Sequence, residues 1–415
     1  MTLDTNSIRV AVIGTSLAGA ACAAGLQRAG AQVTLFEKSQ TVGGRTAAQR
    51  VSWIDASGAG QSVTFDNNAQ CITPLRPRFK ALMARAMSAG GLSEWRPRVH
   101  TVWPVEAGQC LVATPAISAM CHHLLAGATV HLNRTVRRLQ RAPDGGWYVA
   151  ADGMPLAGPF HHIALAIPPA QAAVLMAGHQ DSWADALMAR RLTPCWTLMA
   201  VTDDADWPWD VAEPARGPLS WVLRNDRMPG HTMPPGLAVW TAHATAEWSA
   251  VHLEDEPQAV NDELQSALRA QLPTASGGRS IRWHHTNVHR WCHAGPAVNC
   301  DDSLGSGECR WDESLGLGFC GDFLEDGSVE AAWHSGDELA DCMAASFERT
   351  QAPGCHGDVL DARSRETSAT HPPVIGPSAL IYQASRALVS PVQSETRQVA
   401  GARLKVSHRI PVSNR

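Results

Sequence analysis

The sequence predicts an α/β protein, because its N-terminal segment reads as a strand, a tight turn, a helix and a second strand. Ile8–Ile13 is a short β-branched run that is typical of a buried parallel strand. Leu17–Ala29 is rich in alanine and lacks proline, which favours a helix, and Gly30 stands where a glycine commonly ends one. Gln32–Phe36 has the pattern of a second strand. The segment therefore indicates a β–α–β unit of the dinucleotide-binding kind.

The turn inside this unit is the second observation behind the predicted fold class. Residues Gly14–Gly19, GTSLAG, keep the first and third glycines of the GxGxxG fingerprint, with Ser16 in the middle place. The first glycine allows the tight turn and the third allows close packing of helix on strand. A pyrophosphate would sit on the positive N-terminus of the helix, although such a turn can also occur in an unrelated α/β domain.

An acidic residue at the end of the second strand is the third observation. Glu37 lies twenty-three residues after Gly14, where a carboxylate can accept hydrogen bonds from the ribose hydroxyls of an adenosine. The alternative is an ordinary solvated carboxylate at a strand end. Gly43-Gly44-Arg45 follows closely. Here the sequence resembles the large FAD-dependent family of amine oxidases, phytoene desaturases and renalases, whose GGR segment places an Arg against the cofactor.

The remaining elements are predicted from the hydrophobic pattern and from the turn residues between segments. Val136–Gln140 and Gly146–Ala151 alternate like antiparallel strands around a PDGG turn, and residues 171–190 read as one helix. Leu315–Cys320 has a buried-strand pattern, and Gly327–Arg349 reads as a turn followed by a long helix. The residues from 350 to 415 are rich in Pro, Ser, Arg and Gly and predict a poorly ordered tail.

Composition narrows the class of protein. The chain has 415 residues, 45% apolar content and a net charge of −5, with no basic run to neutralise nucleic acid phosphates. No apolar stretch is long enough to span a membrane, and Val10–Leu26 fits the β–α–β unit better than a targeting segment. Eleven cysteines at irregular spacing favour reduced thiols. We therefore expect a cytoplasmic protein without nucleic-acid or membrane partners.

Later segments narrow the resemblance to renalase-like flavoproteins. Phe65–Gln70 resembles their D-x-G-A-Q-Y segment, and Thr241–Ser249 resembles their HAT-x-x-W-S segment. His289-Arg290-Trp291 resembles H-R-W, and Gly321–Gly336 resembles G-D…G-R-V-E-G-A-W-x-S-G. The similarity extends from about Ile8 to Ser346. It implies a Rossmann-type FAD-binding domain of the glutathione-reductase-like type and a second domain, an antiparallel sheet that supplies the substrate pocket.

The resemblance also implies domain boundaries and contact residues. The FAD-binding domain would comprise residues 1–72, about 125–170 and 312–349, and the substrate domain residues 73–124 and 171–311. The candidate cofactor contacts are Gly14, Ser16, Leu17, Ala18, Gly19, Glu37, Lys38, Gly44, Arg45, Gln70, Cys71, Val136, Gly321, Asp322, Val329, Glu330 and Ala332. The chain departs from the family pattern at Ser16, Asn68, Cys71, Ser328 and Ala331.

Two other groups of side chains are candidates. His284, His285, His289, Cys292 and His293 are close in sequence, but a strand would scatter them onto both faces, so we predict no metal site. His243 and Trp291 are candidate substrate-pocket residues. The alternative for His243 is a structural hydrogen bond within the sheet, and for Trp291 it is core packing.

The implied activity is that of renalase-like enzymes. They oxidise dihydronicotinamide isomers of NAD(P)H by hydride transfer to FAD, and oxygen then takes the electrons to give hydrogen peroxide. One alternative is an oxidase of an amine or another small molecule. A second alternative is a degenerate binding protein without catalysis, which the substitutions Ser16, Asn68 and Cys71 motivate.

Overall fold

The computed structural model describes residues 7–351 apart from Gln70, 102–109, 144, 206, 232, 273–280, 298–303 and 305–306. The candidate contact Gln70 and all but the first two residues of the predicted tail therefore lie outside the described residues. The strands are β1 (Arg9–Ile13), β2 (Gln32–Phe36), β3 (Ala48–Ile54), β4 (Gly60–Asp66), β5 (Leu92–Trp95), β6 (Val99–Thr101), β7 (Cys110–Ala113), β8 (Thr129–His131), β9 (Val136–Arg141), β10 (Trp147–Ala151), β11 (Ala157–Phe160), β12 (His162–Leu165), β13 (Leu192–Asp203), β14 (Val211–Glu213), β15 (Leu219–Arg224), β16 (Leu237–Ala244), β17 (Trp283–Pro296), β18 (Cys309–Asp312) and β19 (Leu317–Cys320). The helices are α1 (Leu17–Arg28), α2 (Pro77–Ser88), α3 (Ala119–Leu124), α4 (Pro169–Met176), α5 (Asp181–Ala189), α6 (Ala246–Val251), α7 (Pro257–Gln271) and α8 (Val329–Gln351).

The predicted β–α–β unit is confirmed and lies at the centre of a six-stranded sheet. The strand order is β18-β19-β12-β1-β2-β8, and β1 pairs in parallel with both β2 and β12. Only the edge strand β18 runs antiparallel to its neighbour within this sheet. Val10 and Val12 of β1 pack towards α1 and α8, whereas Ala11 and Ile13 pack into a second core on the other face. Both faces are therefore covered, as a parallel sheet requires.

The second face is covered by a three-stranded sheet and two helices. The sheet has the order β11-β10-β9 and includes the predicted hairpin around the PDGG turn. The prediction of one helix over residues 171–190 is wrong, because the chain forms α4 and α5 with a break between them. Ala177 is extended, and Gly178 adopts φ +78°, a left-handed conformation that interrupts a helix.

The other large layer is a mostly antiparallel six-stranded sheet. Its order is β17-β13-β16-β15-β14-β6, and the long strands β13 and β17 pair along most of their length. Helix α7 packs against it through Val260 and Leu264, in a core that includes Trp196 and Trp240. The hairpin β3–β4 packs on the same sheet. A Rossmann-type layer next to an antiparallel sheet is the predicted fold class.

Helices α1 and α8 cross at small residues. A Cβ atom at Gly336 would stand 2.0 Å from the carbonyl oxygen of Ala18, and one at Gly25 would stand 2.5 Å from the Cβ of Ala340. The backbones approach this closely because neither glycine carries a side chain. The crossing holds the N-terminal half of α8 beside the first turn of α1.

The first sheet is assembled from distant parts of the chain. Its strands come from residues 9–36, 129–131, 162–165 and 309–320. Helix α3, within the segment 73–124 assigned to the substrate domain, nevertheless shares the core of α1. The domain boundaries stay a prediction. No helix in the described part of the chain has the length and apolarity that crossing a membrane requires.

Candidate functional site

One cavity of about 990 Å³ lies along the ends of the central strands and extends to the antiparallel sheet. Its volume is at the upper end of the range for ligand pockets. Of the predicted site residues, those in its wall are Gly14, Ser16, Leu17, Ala18, Glu37, Lys38, Gly44, Arg45, Cys71, Val136, Trp291, Gly321, Asp322, Val329 and Ala332. Gly19, His243 and Glu330 are described but lie outside the wall.

The glycine-rich turn forms part of the cavity wall. Gly14 has φ +100°, and a Cβ there would stand 2.4 Å from the carbonyl oxygen of Ala166. A Cβ on Gly19 would stand 2.2 Å from the carbonyl oxygen of Gly14, so Gly19 serves the packing of helix on turn. Ser16 donates its hydroxyl to the carbonyl oxygen of Ala166 at 3.2 Å. The first amides of α1 have no acceptor within the helix, which makes this part of the cavity suited to an anion.

Glu37 is held in a fixed position in the cavity wall. Its carboxylate accepts hydrogen bonds from the Thr15 N–H at 3.0 Å, the Thr15 hydroxyl at 2.8 Å and the Ser39 N–H at 2.8 Å. Only 5% of the residue is exposed. Because Thr15 belongs to the glycine-rich turn, the carboxylate is locked to the same turn that would hold a pyrophosphate. A carboxylate held in this way fits the adenosine ribose of a dinucleotide, whose hydroxyl groups would donate to it.

The GGR loop is attached to the glycine-rich turn and bears an ion pair. The Gly43 N–H donates to the Thr15 carbonyl oxygen at 3.0 Å. Arg45 donates to the Ala294 carbonyl oxygen at 2.8 Å and forms an ion pair with Asp322, which is 4% exposed. Arg45 therefore links the loop to the end of β17 and the end of β19 in the cavity wall.

The N-terminus of α8 closes the opposite wall. Ser328 accepts a hydrogen bond from the Ala331 N–H at 3.0 Å and so caps this helix. Ser335 accepts the Gly321 N–H at 2.8 Å, which fixes the strand end beside it. The Glu330 carboxylate accepts the N–H groups of Leu75 and Arg76 at 2.9 and 2.7 Å. Its place among the cofactor contacts stays a prediction that this arrangement does not support.

Strand β17 forms the wall on the side of the antiparallel sheet, as the strand prediction for residues 284–293 requires. The rings of His289 and Trp291 lie 4.3 Å apart between centroids. Burial lowers the pKa of His289 and of His293, and the charges of Lys38 and Arg45 lower the latter further. These histidines are therefore neutral near pH 7. In the described ranges, no three His, Cys, Asp or Glu side chains are grouped to hold a metal ion.

His243 lies behind the cavity wall. It is 1% exposed, and its Nε2 is 3.2 Å from the carbonyl oxygen of Asn67, a residue that does line the cavity. Burial lowers the pKa of His243 to about 4, so its ring is neutral. The contact matches the structural alternative for this residue. A direct role in substrate binding stays a prediction without support from its position.

Cys71 is buried in the wall next to Cys110. A hydrogen bond with the Cys110 thiol and burial raise the pKa of Cys71 well above its usual value. The thiol therefore remains protonated and is a poor nucleophile. Its role at the cavity is packing.

Sequence reasoning missed a buried acid beneath this wall. Burial raises the pKa of Asp66 to about 7, and the Ile117 N–H lowers it in part. The Nε2 atom of His231 is 3.6 Å from the carboxylate. Asp66 belongs to the segment that resembles D-x-G-A-Q-Y, which was the available signal. The sequence also gave no sign that Gln171 and Val174 of α4 would line the cavity.

Comparisons with known proteins agree with this architecture. The NAD(P)-binding Rossmann-like domain family matches residues 12–86. A putative protoporphyrinogen oxidase from Exiguobacterium sp. 255-15 is similar in structure, with a TM-score of 0.60 and 12% identity over 82% of this chain and 99% of that chain. A double mutant of putrescine oxidase has a TM-score of 0.58 and 13% identity, with 82% and 100% covered. Cyclohexylamine oxidase from Brevibacterium oxydans IH-35A has a TM-score of 0.56 and 15% identity, with 83% and 100% covered. The chain therefore has the fold of these oxidases, and that fold includes a Rossmann-like dinucleotide-binding domain.

Proposed function

We propose that this chain is an FAD-dependent oxidoreductase that takes a hydride from a small-molecule substrate. The observation that carries the proposal is the continuity of one cavity from Glu37, past the first turn of α1, to Trp291 on the antiparallel sheet. An extended dinucleotide needs such a path, because its adenosine and its reactive ring lie far apart. The similarity of the fold to that of several oxidases supports the same reading.

Each part of FAD would find a partner among the residues of the wall. Glu37 would accept the ribose hydroxyls, and the amides at Leu17 and Ala18 would face the pyrophosphate. Arg45 and Asp322 would hold the ribityl region, and the residues at Val329–Ala332 would lie near the flavin. The described wall carries six basic side chains: Lys38, Arg45, Arg50, Arg134, Arg137 and Arg290. Arg45, Arg137 and Arg290 form ion pairs with Asp322, Asp152 and Glu254, and the other three complement a dianionic cofactor.

Bound FAD would supply the hydride acceptor, and the chain's own residues would bind and orient the reactants. The neutral ring of His289 and the indole of Trp291 form a partly apolar wall for a planar substrate. Hydride transfer needs no protein nucleophile, and the protonated Cys71 thiol offers none. The protein's contribution is thus position and exclusion of water.

We propose a renalase-like substrate, a dihydronicotinamide isomer of NAD(P)H, with oxygen as electron acceptor and hydrogen peroxide as product. The renalase-like segments support this substrate class. Charge supports it as well, because Glu37 and Asp322 are the only acids in the described wall and both are already engaged. A phosphate-bearing substrate meets compensating charge there, whereas an ammonium ion finds no free carboxylate.

An amine or other small-molecule oxidase is the second candidate. It is favoured by the structural similarity to putrescine oxidase and cyclohexylamine oxidase. A degenerate binding protein is the third candidate, which the departures Ser16, Asn68 and Cys71 motivate. This third candidate predicts that the purified chain does not take up FAD.

Anaerobic reduction distinguishes these candidates. Partly isomerised NADH should bleach the bound flavin of the protein, and air should restore the colour. Bleaching by a primary amine, with indifference to the isomers, would contradict the dihydronicotinamide assignment and favour the second candidate. Pure NADH is the control for the dinucleotide scaffold, and the primary amine is the control for charge.

The role of His243 can be tested in the same assay. Because its ring is buried behind Asn67, His243→Ala should lower stability by about 2–5 kcal/mol, in the range for large-to-small core substitutions, and leave the substrate concentration for half-bleaching unchanged. Trp291→Ala, in the cavity wall, should raise that concentration. If His243→Ala raised the substrate concentration for half-bleaching, His243 would be a substrate contact after all.

A further inference from the structure

Four cysteines form a series of contacts from the core to the surface at the edge of the first sheet. The thiols of Cys22 on α1 and Cys320 on β19 share a hydrogen bond. Cys320 lies directly opposite Cys309 in the antiparallel pairing of β19 with β18. Cys309 Sγ is in turn 3.9 Å from Cys342 Sγ on α8. Two thiol pairs therefore lie on one face of the sheet, an inner pair and an outer pair.

The two pairs differ in exposure. Both Cys22 and Cys320 are fully buried, whereas Cys309 and Cys342 are each partly exposed. The hydrogen bond with Cys22 and burial raise the pKa of Cys320 well above its usual value. In the outer pair the hydrogen bond with Cys309 lowers the pKa of Cys342, against opposing effects of burial, Glu338 and Asp341. A water-soluble oxidant therefore meets the outer pair first.

We propose that Cys342 and Cys309 are a peroxide-reactive dithiol, at which oxidation forms a disulfide between α8 and the edge strand β18. The Cys342 thiolate attacks one oxygen of hydrogen peroxide, the O–O bond breaks, and a sulfenic acid and hydroxide result. The Cys309 sulfur then attacks the sulfenic sulfur and displaces its oxygen as water. The two thiols supply two electrons and two protons, and one peroxide becomes two waters.

The geometry suits the second step. The two sulfurs must close from 3.9 Å to about 2.05 Å, a movement of about 1.9 Å that rotation of two partly exposed side chains can supply in large part. The residues are 33 positions apart, so the new bond would close a loop that contains β19 and the first half of α8. Val329 and Ala332 in that loop line the cavity, and the disulfide would fasten their helix to the sheet.

The test uses the full chain and added hydrogen peroxide, so its outcome does not depend on flavin or on the proposed activity. Treated wild-type protein should lose about 2 Da and two alkylatable thiols, and dithiothreitol should restore both. Peptide mapping should join Cys309 to Cys342. Cys342→Ser should abolish the product. Cys309→Ser should instead leave a sulfenic acid at Cys342 that dimedone traps.

Matched variants separate proximity from general reactivity. Cys292→Ser removes an exposed cysteine of β17 and should leave the disulfide intact, and Cys22→Ser should do so as well. Alanine variants repeat the measurement if a serine lowers stability. A disulfide through another cysteine, equal reaction in protein unfolded by urea, modification of Cys320 before Cys342, or no loss of thiols would each overturn the proposal.

Discussion

The crossing of α1 and α8 gives a sharp prediction for Gly336→Ala. The new Cβ would stand 2.0 Å from the carbonyl oxygen of Ala18, and both positions are fixed by helix backbone. Real Cβ atoms essentially never lie within 3.0 Å of such a heavy atom. The helices must therefore separate by about 1 Å, the difference between these two distances. No change of rotamer can relieve the contact.

The expected loss of stability follows from two opposing effects. Overpacking of this kind costs typically 1–3 kcal/mol, and a contact between backbone-fixed atoms belongs at about 3 kcal/mol. Alanine recovers about 1 kcal/mol through its higher helix propensity. The net loss is about 2 kcal/mol, which corresponds to a fall in Tm of about 2–3 °C for a chain of this size.

Cofactor binding should weaken together with stability. Ala18 lies in the first turn of α1 and lines the cavity, so a displaced turn no longer presents its amides correctly. The loss of about one hydrogen bond would weaken FAD binding by about tenfold. Thermal denaturation and a flavin fluorescence titration measure the two effects.

Gly60→Ala is the matched control for this change. Nothing lies within 4 Å of a Cβ at Gly60, and its backbone does not require glycine. Its stability should stay within about 0.5 kcal/mol of the wild type. If Gly336→Ala were as stable as Gly60→Ala, the reasoning about this helix crossing would be refuted.

Two further predictions concern buried charge. Burial lowers the pKa of His162 to about 4. Because the unfolded chain binds this proton near pH 6.5, stability should fall by up to about 3 kcal/mol between pH 7 and pH 4 on account of His162. His162→Phe should flatten that decline and the exposed-site control His122→Phe should not; equal slopes would contradict the assignment. Glu37→Ala should weaken FAD binding by about 10- to 150-fold, since it removes charged hydrogen bonds worth about 1.5–3 kcal/mol, whereas Glu94→Ala should leave it unchanged. If Glu37→Ala bound FAD as tightly as the wild type, Glu37 would not be a ribose contact.

Local signals were sufficient for the dinucleotide-binding unit. The β-branched strand, the alanine-rich helix and Gly30 each specify their element by short-range physics, and the structure places them within one residue of the predicted bounds. Gly14 and Glu37 were recognisable because their chemistry depends on conformation and position along one β–α–β unit. The long helix near the end of the described chain was likewise predicted, and it begins at Val329.

Other features depend on contacts between distant segments. Leu75 and Arg76 lie about 250 positions before Glu330 in the sequence. No local pattern could therefore show that their N–H groups donate to the Glu330 carboxylate. His243 resembled a pocket residue, yet it lies between two neighbouring strands and is buried behind Asn67. The single predicted helix over 171–190 is wrong because Gly178 adopts a left-handed conformation that interrupts it, which the apolar pattern alone does not show. The cysteine series exists only through strand pairing and helix packing.

The most direct test of the central claim is the visible spectrum of the purified full chain, before and after incubation with FAD and removal of the unbound cofactor. We expect a protein-bound flavin spectrum at about one FAD per chain, and a weaker one in Glu37→Ala. A folded protein that stays colourless and takes up no FAD would contradict the proposal that the chain is a flavoprotein. Equal stability of Gly60→Ala and the wild type under the same conditions would show that the protein is folded.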